Sequence, residues 1–429
     1  MSSSRPSLLF IARSFPPVAN IATIRMASIA RHLARCGWKI TVLAPHPDLL
    51  RDSSNREAAV EFCRQEGIQL IPTGYDWRSL VPGLLRQRPG LPGIFGGIAR
   101  RVARWLDIDD GAGWIRPILN ATKHLPAGSI DLVLASGSPF ASFEAARLLA
   151  RRLRCPFVLD YRDPWTLRDF RTVPVRPWTV RKERRVCQEA AAILHVSPML
   201  VPIHVSAFGG AERNHALTNG FDPEMLDPVP AREFEHPAIV YAGRFYPPHR
   251  VIQPVLEAVR MLHEEPGGQW TDLRFHYYGV DSGQVRQAAA ACGAEGLLVD
   301  HGKVPQAESF AASKGAAVNV VVTSVLKSVD QGILGNLPGK LFEVIGLGSP
   351  VLLVSPDGSQ ARMILDHAAS GIGVSGEDPA RIAEALKELL QRRAGRGPQA
   401  DAYSWPRLAR QLDTLLRSLL PASRDGSSS

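Results

Sequence analysis

The chain has few cysteines and no cysteine pair. Its five, Cys36, Cys63, Cys155, Cys187 and Cys292, are scattered over 429 residues without CxxC spacing. That argues against a zinc site or a disulfide framework and fits a reducing cytosol. Long apolar runs are missing as well. No stretch approaches the roughly 18 residues of a membrane-spanning helix, and Leu8–Ala12 has the length of a strand rather than of a secretory signal core. No GxGxxG follows the first strand, which disfavours a nicotinamide dehydrogenase. Arginines are plentiful, yet no nucleic-acid recognition motif accompanies them, so no nucleic-acid partner is expected.

What is present is a chain too long for one core, so two domains of about 200 residues each are expected. Its hydrophobic content of 45% and charged content of 21% are those of a globular protein. The net charge of +9 is unevenly spread: residues 1–215 carry 30 Lys/Arg against 17 Asp/Glu, and the remainder 20 against 24. A basic first half suits an anionic surface or acceptor. Six arginines fall between Asp76 and Trp105, interleaved with Trp77, Leu80, Leu84, Leu85, Ile94, Phe95 and Ile98. Such a mixture can lie on an anionic bilayer, and equally can be a solvated loop and helix whose apolar residues pack inward. A second basic stretch, Arg162 to Arg185, reads as a solvated face. The expected location is cytoplasmic, with peripheral contact at the inner face of the membrane through the basic half.

Strand-length apolar runs alternate with helical segments throughout, the rhythm of an α/β fold with parallel sheets. Strands are expected at Ser7–Ala12, Trp38–Ala44, Gly67–Pro72, Asp131–Ala135, Pro156–Asp160, Ala192–Val196 and Ala216–Thr218. A second series runs through Ala238–Tyr241, Leu273–Tyr278, Leu297–Asp300, Ala317–Val322, Val351–Val354 and Gly371–Val374. The organisation expected is a Rossmann-like doubly wound domain over 1–218, a linker over 219–235, and a second such domain over 236–400. A C-terminal helix over 401–422 packs back on the first domain, and 423–429 form a disordered tail.

In doubly wound sheets, ligands bind beyond the carboxyl ends of the strands. After Ala238–Tyr241 comes Gly243, which permits close backbone approach. Arg244 follows and can fork onto a pyrophosphate, with His249 or Arg250 as a second cation. Further on, Asn336-Leu-Pro-Gly339-Lys340-Leu-Phe-Glu343 opens a helix of about ten residues. Pro338 sits in its first turn and Gly348 at its C-cap. Its open N-terminus offers an anion site. Lys340 and Glu343 share a face, a cation beside a carboxylate that can accept two hydrogen bonds from a ribose diol. The same spacing also suits a surface ion pair on an ordinary short helix. In the first half, Asn20, Thr23 and Arg25 open the first helix. Ser136 and Ser138 lie in a loop that is either an acceptor contact or a helix N-cap. Arg162 and Asp163 follow another strand, where an ion-pair network and a substrate contact are equally open. Asp107-Ile-Asp109 reads as a chance acidic turn rather than a metal-binding DxD.

Val240-Tyr-Ala-Gly-Arg244, Asn219-Gly-Phe-Asp222, Pro338-Gly-Lys-Leu-Phe-Glu343 with Gly348-Ser-Pro-Val351, and Asp160-Tyr-Arg-Asp-Pro-Trp165 occur in this order. So do Phe15-Pro-Pro17, Arg25 and Gly37–Leu43. Together they resemble the family 4 glycosyltransferases of the GT-B fold, over nearly the whole chain. The resemblance implies two Rossmann-like domains facing a central cleft, and retaining transfer of a sugar from a nucleotide donor. The acceptor would be a glycan, a lipid-linked intermediate or a small molecule, with no cofactor and no metal. It gives Glu343 the donor ribose, Arg244 the diphosphate and Lys340 the lysine of a P-x-K-x-x-E pattern. Arg250 or His249 falls near the second phosphate cation.

The chain departs from that pattern where the family places another glutamate, eight residues before Glu343, since Gly335 stands there. Asn336 or Asp330 is the available substitute for its donor-sugar contact. The N-terminal loop has Ala19-Asn-Ile-Ala22 in place of a glycine pair, and no histidine is evident near Ala135–Ser138. Two alternatives follow: a catalytically degenerate GT-B partner protein, and a GT-B sugar-nucleotide epimerase.

Overall fold

The computed structural model describes residues 5–16, 21–46, 56–76, 112–167, 175–327 and 329–421. Asn20, the arginine-rich 77–105 stretch, Asp107-Ile-Asp109 and the tail lie outside them. The chain divides into two compact units, residues 1–217 with 409–429, and residues 218–408.

The first unit carries the strands β1 (Ser7–Ile11), β2 (Lys39–Pro45), β3 (Gln69–Thr73), β4 (Leu132–Gly137), β5 (Phe157–Tyr161), β6 (Ala192–His195) and β7 (Asn214–Ala216). All pair in parallel, in the order β3-β2-β1-β4-β5-β6-β7. Its helices are α1 (Ile21–Arg35), α2 (Arg56–Gln65), α3 (Ile115–Ala121), α4 (Ala141–Leu153), α5 (Pro177–Glu189) and α6 (Leu200–Phe208). The central strands are apolar on both faces because both are covered: Leu9, Ile11, Val133, Ala135 and Leu159 are fully buried on one face with Phe143, Leu149 and Trp114, and Leu8, Phe10, Leu132, Leu134 and Val158 are fully buried on the other. The last strand was expected at 216–218. It starts two residues earlier, where Asn214 and His215 pair with Ile193 and Leu194.

The second unit has α7 (Pro223–Leu226), β8 (Ala238–Ala242), α8 (Gln253–His263), β9 (Arg274–Tyr278), α9 (Ser282–Ala291), β10 (Leu298–Asp300), α10 (Gln306–Gly315) and β11 (Val318–Val322). It continues with α11 (Gln331–Leu334), α12 (Gly339–Leu347), β12 (Val351–Val354), α13 (Gln360–Ala368), β13 (Gly371–Val374), α14 (Pro379–Leu390) and α15 (Trp405–Ser418). Its six parallel strands run β10-β9-β8-β11-β12-β13. In each sheet the strand order reverses once, between β1 and β4 and between β8 and β11. Those reversals are the switch points at which doubly wound sheets open a crevice.

Residues 219–235, expected as a linker, are structured within the second unit. The Phe221 amide donates to the Tyr403 carbonyl (3.0 Å), the Arg232 amide donates to the Ala311 carbonyl (2.9 Å), and Asp222 caps α7. The prolines that read as a break instead start a short helix and turns. Helix α15 is shared: its residues to Leu408 group with the second unit and those from Ala409 with the first. In the first unit the Trp38 indole donates to Asp413 (2.6 Å), and Arg417 donates to the Cys36 carbonyl (2.8 Å). Among the described residues, no helix is long and apolar enough to cross a membrane.

Candidate nucleotide-diphosphate site

The loop leaving β8 is held by its neighbours on both sides. The Gly243 amide donates to the Tyr278 carbonyl (2.8 Å), and the Tyr277 hydroxyl donates to the Gly243 carbonyl (2.9 Å). The Tyr277 oxygen also accepts from the Asp281 amide (2.9 Å), while the Asp281 carboxylate accepts from the Phe245 amide (2.9 Å). Asp281 stands at the N-cap of α9 without capping it, because its side chain serves the β8 loop instead. Tyr246 and Arg250 then close a tight turn, each amide donating to the other's carbonyl at 2.9 Å. Beyond it the His249 carbonyl accepts from the Val325 amide (2.8 Å), and His249 Nδ1 lies 3.2 Å from the Ser324 hydroxyl. The loop therefore crosses from the end of β8 to the end of β11, across the switch point.

Helix α12 delivers the other half. Pro338 is its N-cap, one position before the first-turn place expected, and no side chain caps the helix. The Leu341 amide donates to the Pro338 carbonyl (3.1 Å), which leaves the Gly339 and Lys340 amides for an anion. Gly348 ends the nine-residue helix in the left-handed conformation, φ 83°, as expected of a C-cap. Leu341, Phe342 and Ile345 anchor the buried face, which leaves Lys340 and Glu343 together on the half-buried side.

The Lys340 ammonium lies against the Gly243 backbone and 5.7 Å from the centre of the Tyr241 ring. Burial pushes its pKa down to about 8; Glu343 pulls the other way, and Arg250 adds to the depression. Burial raises Glu343, against the pull of Lys340. Arg244 is exposed, and Arg250 rests 5.3 Å over the Tyr246 ring. Among the described residues, no carboxylate stands within ion-pair distance of Lys340, Arg244 or Arg250. Cations without an ion-pair partner beside a helix N-terminus can hold a diphosphate, and Glu343 one turn on can accept from a diol.

Gly335 is buried and ends the short helix α11, so no side chain projects from that position. The Asp330 carboxylate caps α11 by accepting from the Ile333 amide (2.9 Å), and Asn336 is half-buried beside it. Gly339 opens α12 directly before Lys340.

In the first unit the candidates separate into two groups. Arg25 is 2% exposed: it pairs with fully buried Asp160 (2.7 Å) and donates to the Leu217 carbonyl (2.9 Å). The Ser136 hydroxyl donates to the same carboxylate (2.9 Å), and Thr23 is buried on α1. These three occupy the interior. Arg162 donates to the Gly137 and Ser138 carbonyls (2.7 Å each), which ties the loop after β5 to the loop after β4. Burial lowers the Arg162 pKa, while Asp160 and Asp163 raise it. Ser138 and Asp163 are exposed around that guanidinium. The pinning residues Tyr277, Asp281 and Ser324 escaped the sequence reading. Gly279, directly after β9, was their only local signal, since a side chain there would overlap the Gly243 carbonyl and the Tyr277 hydroxyl.

Residues 22–220 match the glycosyl transferase 4-like domain, and residues 236–392 match the glycosyl transferases group 1 domain. No curated protein sequence matches the chain significantly. Similar solved structures include Anabaena HepE in complex with UDP and glucose, 14% identical over 96% of this chain and 100% of that one, with a TM-score of 0.59. Sucrose-phosphate synthase from Thermosynechococcus elongatus is 14% identical over 97% and 99%, with a TM-score of 0.63. A putative UDP-N-acetylglucosamine 2-epimerase from Listeria monocytogenes is 14% identical over 96% of each chain, with a TM-score of 0.56. At such identities the likeness speaks for the fold, while the two family domains speak for the lineage. The chain belongs to the family 4 glycosyltransferases of the GT-B fold.

Proposed function

We propose that the chain transfers a sugar, with retention, from a nucleoside-diphosphate donor to a hydroxyl of a glycan, lipid-linked or small-molecule acceptor. The observation that carries this reading is the set of Lys340, Arg244 and Arg250 around Gly243, none of them within ion-pair distance of a carboxylate among the described residues, with Glu343 on the same helix face as Lys340. In this reading Glu343 accepts from the ribose diol, while the cations and the α12 N-terminus hold the diphosphate. As the glycosidic bond to the diphosphate breaks, negative charge grows on the departing oxygen, and in this reading these cations stabilise it without a metal ion. The acceptor hydroxyl attacks from the face the diphosphate leaves, and its proton passes to the departing diphosphate. The protein contributes positioning and electrostatics.

HepE was solved with UDP and with UDP-glucose, which makes UDP-sugars the first donors to test. The acceptor is assigned to the first unit, where exposed Ser138 and Asp163 surround Arg162. The basic balance of residues 1–215 favours an anionic acceptor or membrane surface on the cytoplasmic side. The purified chain should hydrolyse or transfer from at least one common UDP-, GDP- or dTDP-sugar; inertness toward all of them would remove the transferase assignment.

Gly335 favours a second reading, a partner protein that binds nucleotide without turnover, because that buried position offers the donor sugar no side chain. Tight nucleotide binding without product, together with co-purification of an active transferase, would select it.

A further inference from the structure

No two cysteines have ligand spacing, so spacing alone points to no metal. Three-dimensional convergence is not visible to that test. Glu183 and Cys187 stand four apart on α5, hence on one helix face, and α6 brings His204 against them. One ligand atom from each, all three side chains being buried, lies within 4.8 Å of the other two. The Cys187 sulfur is 3.7 Å from His204 Nε2, close to the roughly 3.5 Å that tetrahedral zinc with bonds of about 2.3 Å to sulfur and 2.0 Å to nitrogen requires. On the β5 side, the Tyr161 hydroxyl lies 3.0 Å from a Glu183 oxygen and 3.2 Å from the Cys187 sulfur. It is the fourth donor atom within reach.

We propose that Glu183, Cys187 and His204 form a structural divalent-metal site of zinc type in the first unit, closed by the Tyr161 hydroxyl. The donor set of carboxylate, thiolate and imidazole selects zinc over calcium or magnesium. A divalent ion is neutralised by one carboxylate and one thiolate; the thiol proton leaves to solvent as the metal–sulfur bond forms. His204 supplies a second reason. It is 1% exposed, and its Nδ1 has no hydrogen-bond partner among the described residues. Its Nε2 lies 3.7 Å from the Cys187 sulfur, a weak partner for a buried imidazole. The ion would staple α5 to α6 beneath β5, within the first unit.

The competing account is a hydrogen-bonded cluster without metal, since Glu183 also accepts from the Thr166 hydroxyl. Metal analysis of the full chain, purified without chelator, separates the two. The expected result is about one zinc per chain. Cobalt(II) loading should give a thiolate-to-metal charge-transfer band and intense four-coordinate visible bands, both lost in Cys187→Ser and His204→Gln. Should either variant fail to fold, the wild-type cobalt spectrum decides alone. Substoichiometric metal, cobalt bound without a sulfur band, or unchanged metal content in folded Cys187→Ser would each overturn the site. Because the readout is metal content and spectrum, its failure leaves the nucleotide reading untouched.

Discussion

The Lys340 side chain packs against the backbone of Gly243, so that a methyl group on Gly243 would overlap Nζ and stand 3.2 Å from Cε. Two motifs about a hundred residues apart thus meet through one missing side chain. Because the overlapping atom is the end of a flexible chain, Gly243→Ala should fold normally but push the ammonium out of place. We expect nucleoside-diphosphate affinity to fall by about 10- to 150-fold, the loss of one charge-assisted hydrogen bond of about 1.5–3 kcal/mol. Calorimetry on wild type and variant checks it; equal affinities would separate Lys340 from the phosphate.

The depressed Lys340 ammonium predicts a pH dependence with a definite sign. Its pKa is about 8 in the folded chain against about 10.4 unfolded. Between those values the unfolded chain holds more protons, so this group makes the free protein more stable as pH rises. Diphosphate binding needs the charged form and should weaken as pH passes about 8. In Lys340→Arg, whose guanidinium stays charged, the weakening should disappear from titrations between about pH 7 and pH 9.5. Identical profiles in both proteins would assign the effect elsewhere.

Arg25 and Asp160 predict a stability effect. Both are buried, with Ser136 and the Leu217 carbonyl completing the network. Arg25→Ala strands a carboxylate in the interior and should cost about 3–5 kcal/mol, read by urea unfolding. A change below about 1 kcal/mol would mean that water reaches the carboxylate.

His276 is held between two imidazoles, with His236 Nε2 at 2.8 Å from its Nε2 and His301 Nε2 at 2.9 Å from its Nδ1. Burial, and then the charges of His301 and His236, push it down to about 3. The folded chain therefore resists protonation that the unfolded chain accepts near pH 6.5, and stability falls as pH drops below that value. His276→Gln should show a shallower fall of the urea midpoint between about pH 7 and pH 5 than wild type does. Parallel falls would clear His276.

Local chemistry made much of this architecture legible. Val351–Val354 and Gly371–Val374 are strands over the expected residues, because an apolar run of strand length bounded by glycine and proline has few other uses. The α12 helix was legible from Pro338 and Gly348, one fixing its start and the other its left-handed end. What stayed hidden depends on tertiary approach. Asp160 and Arg162 are two apart, yet one joins Arg25 in the core and the other ties two loops together, a split that no spacing encodes. Tyr277 and Asp281 reach the β8 loop from the neighbouring strand. The Pro-rich 219–235 segment read as a linker because its partners, Tyr403 and Ala311, lie some 80 to 180 residues further along the chain.

The most direct measurement is a thermal-shift screen of UDP-, GDP- and dTDP-sugars on wild type, Glu343→Ala and Arg244→Ala. One donor should raise the wild-type Tm and lose most of that effect in Glu343→Ala, where the ribose loses its carboxylate. Arg244→Ala should weaken the response to the bare nucleoside diphosphate as well as to the sugar donor. Equal shifts in wild type and Glu343→Ala, with undiminished diphosphate binding in Arg244→Ala, would contradict the placement of the nucleotide at β8 and α12.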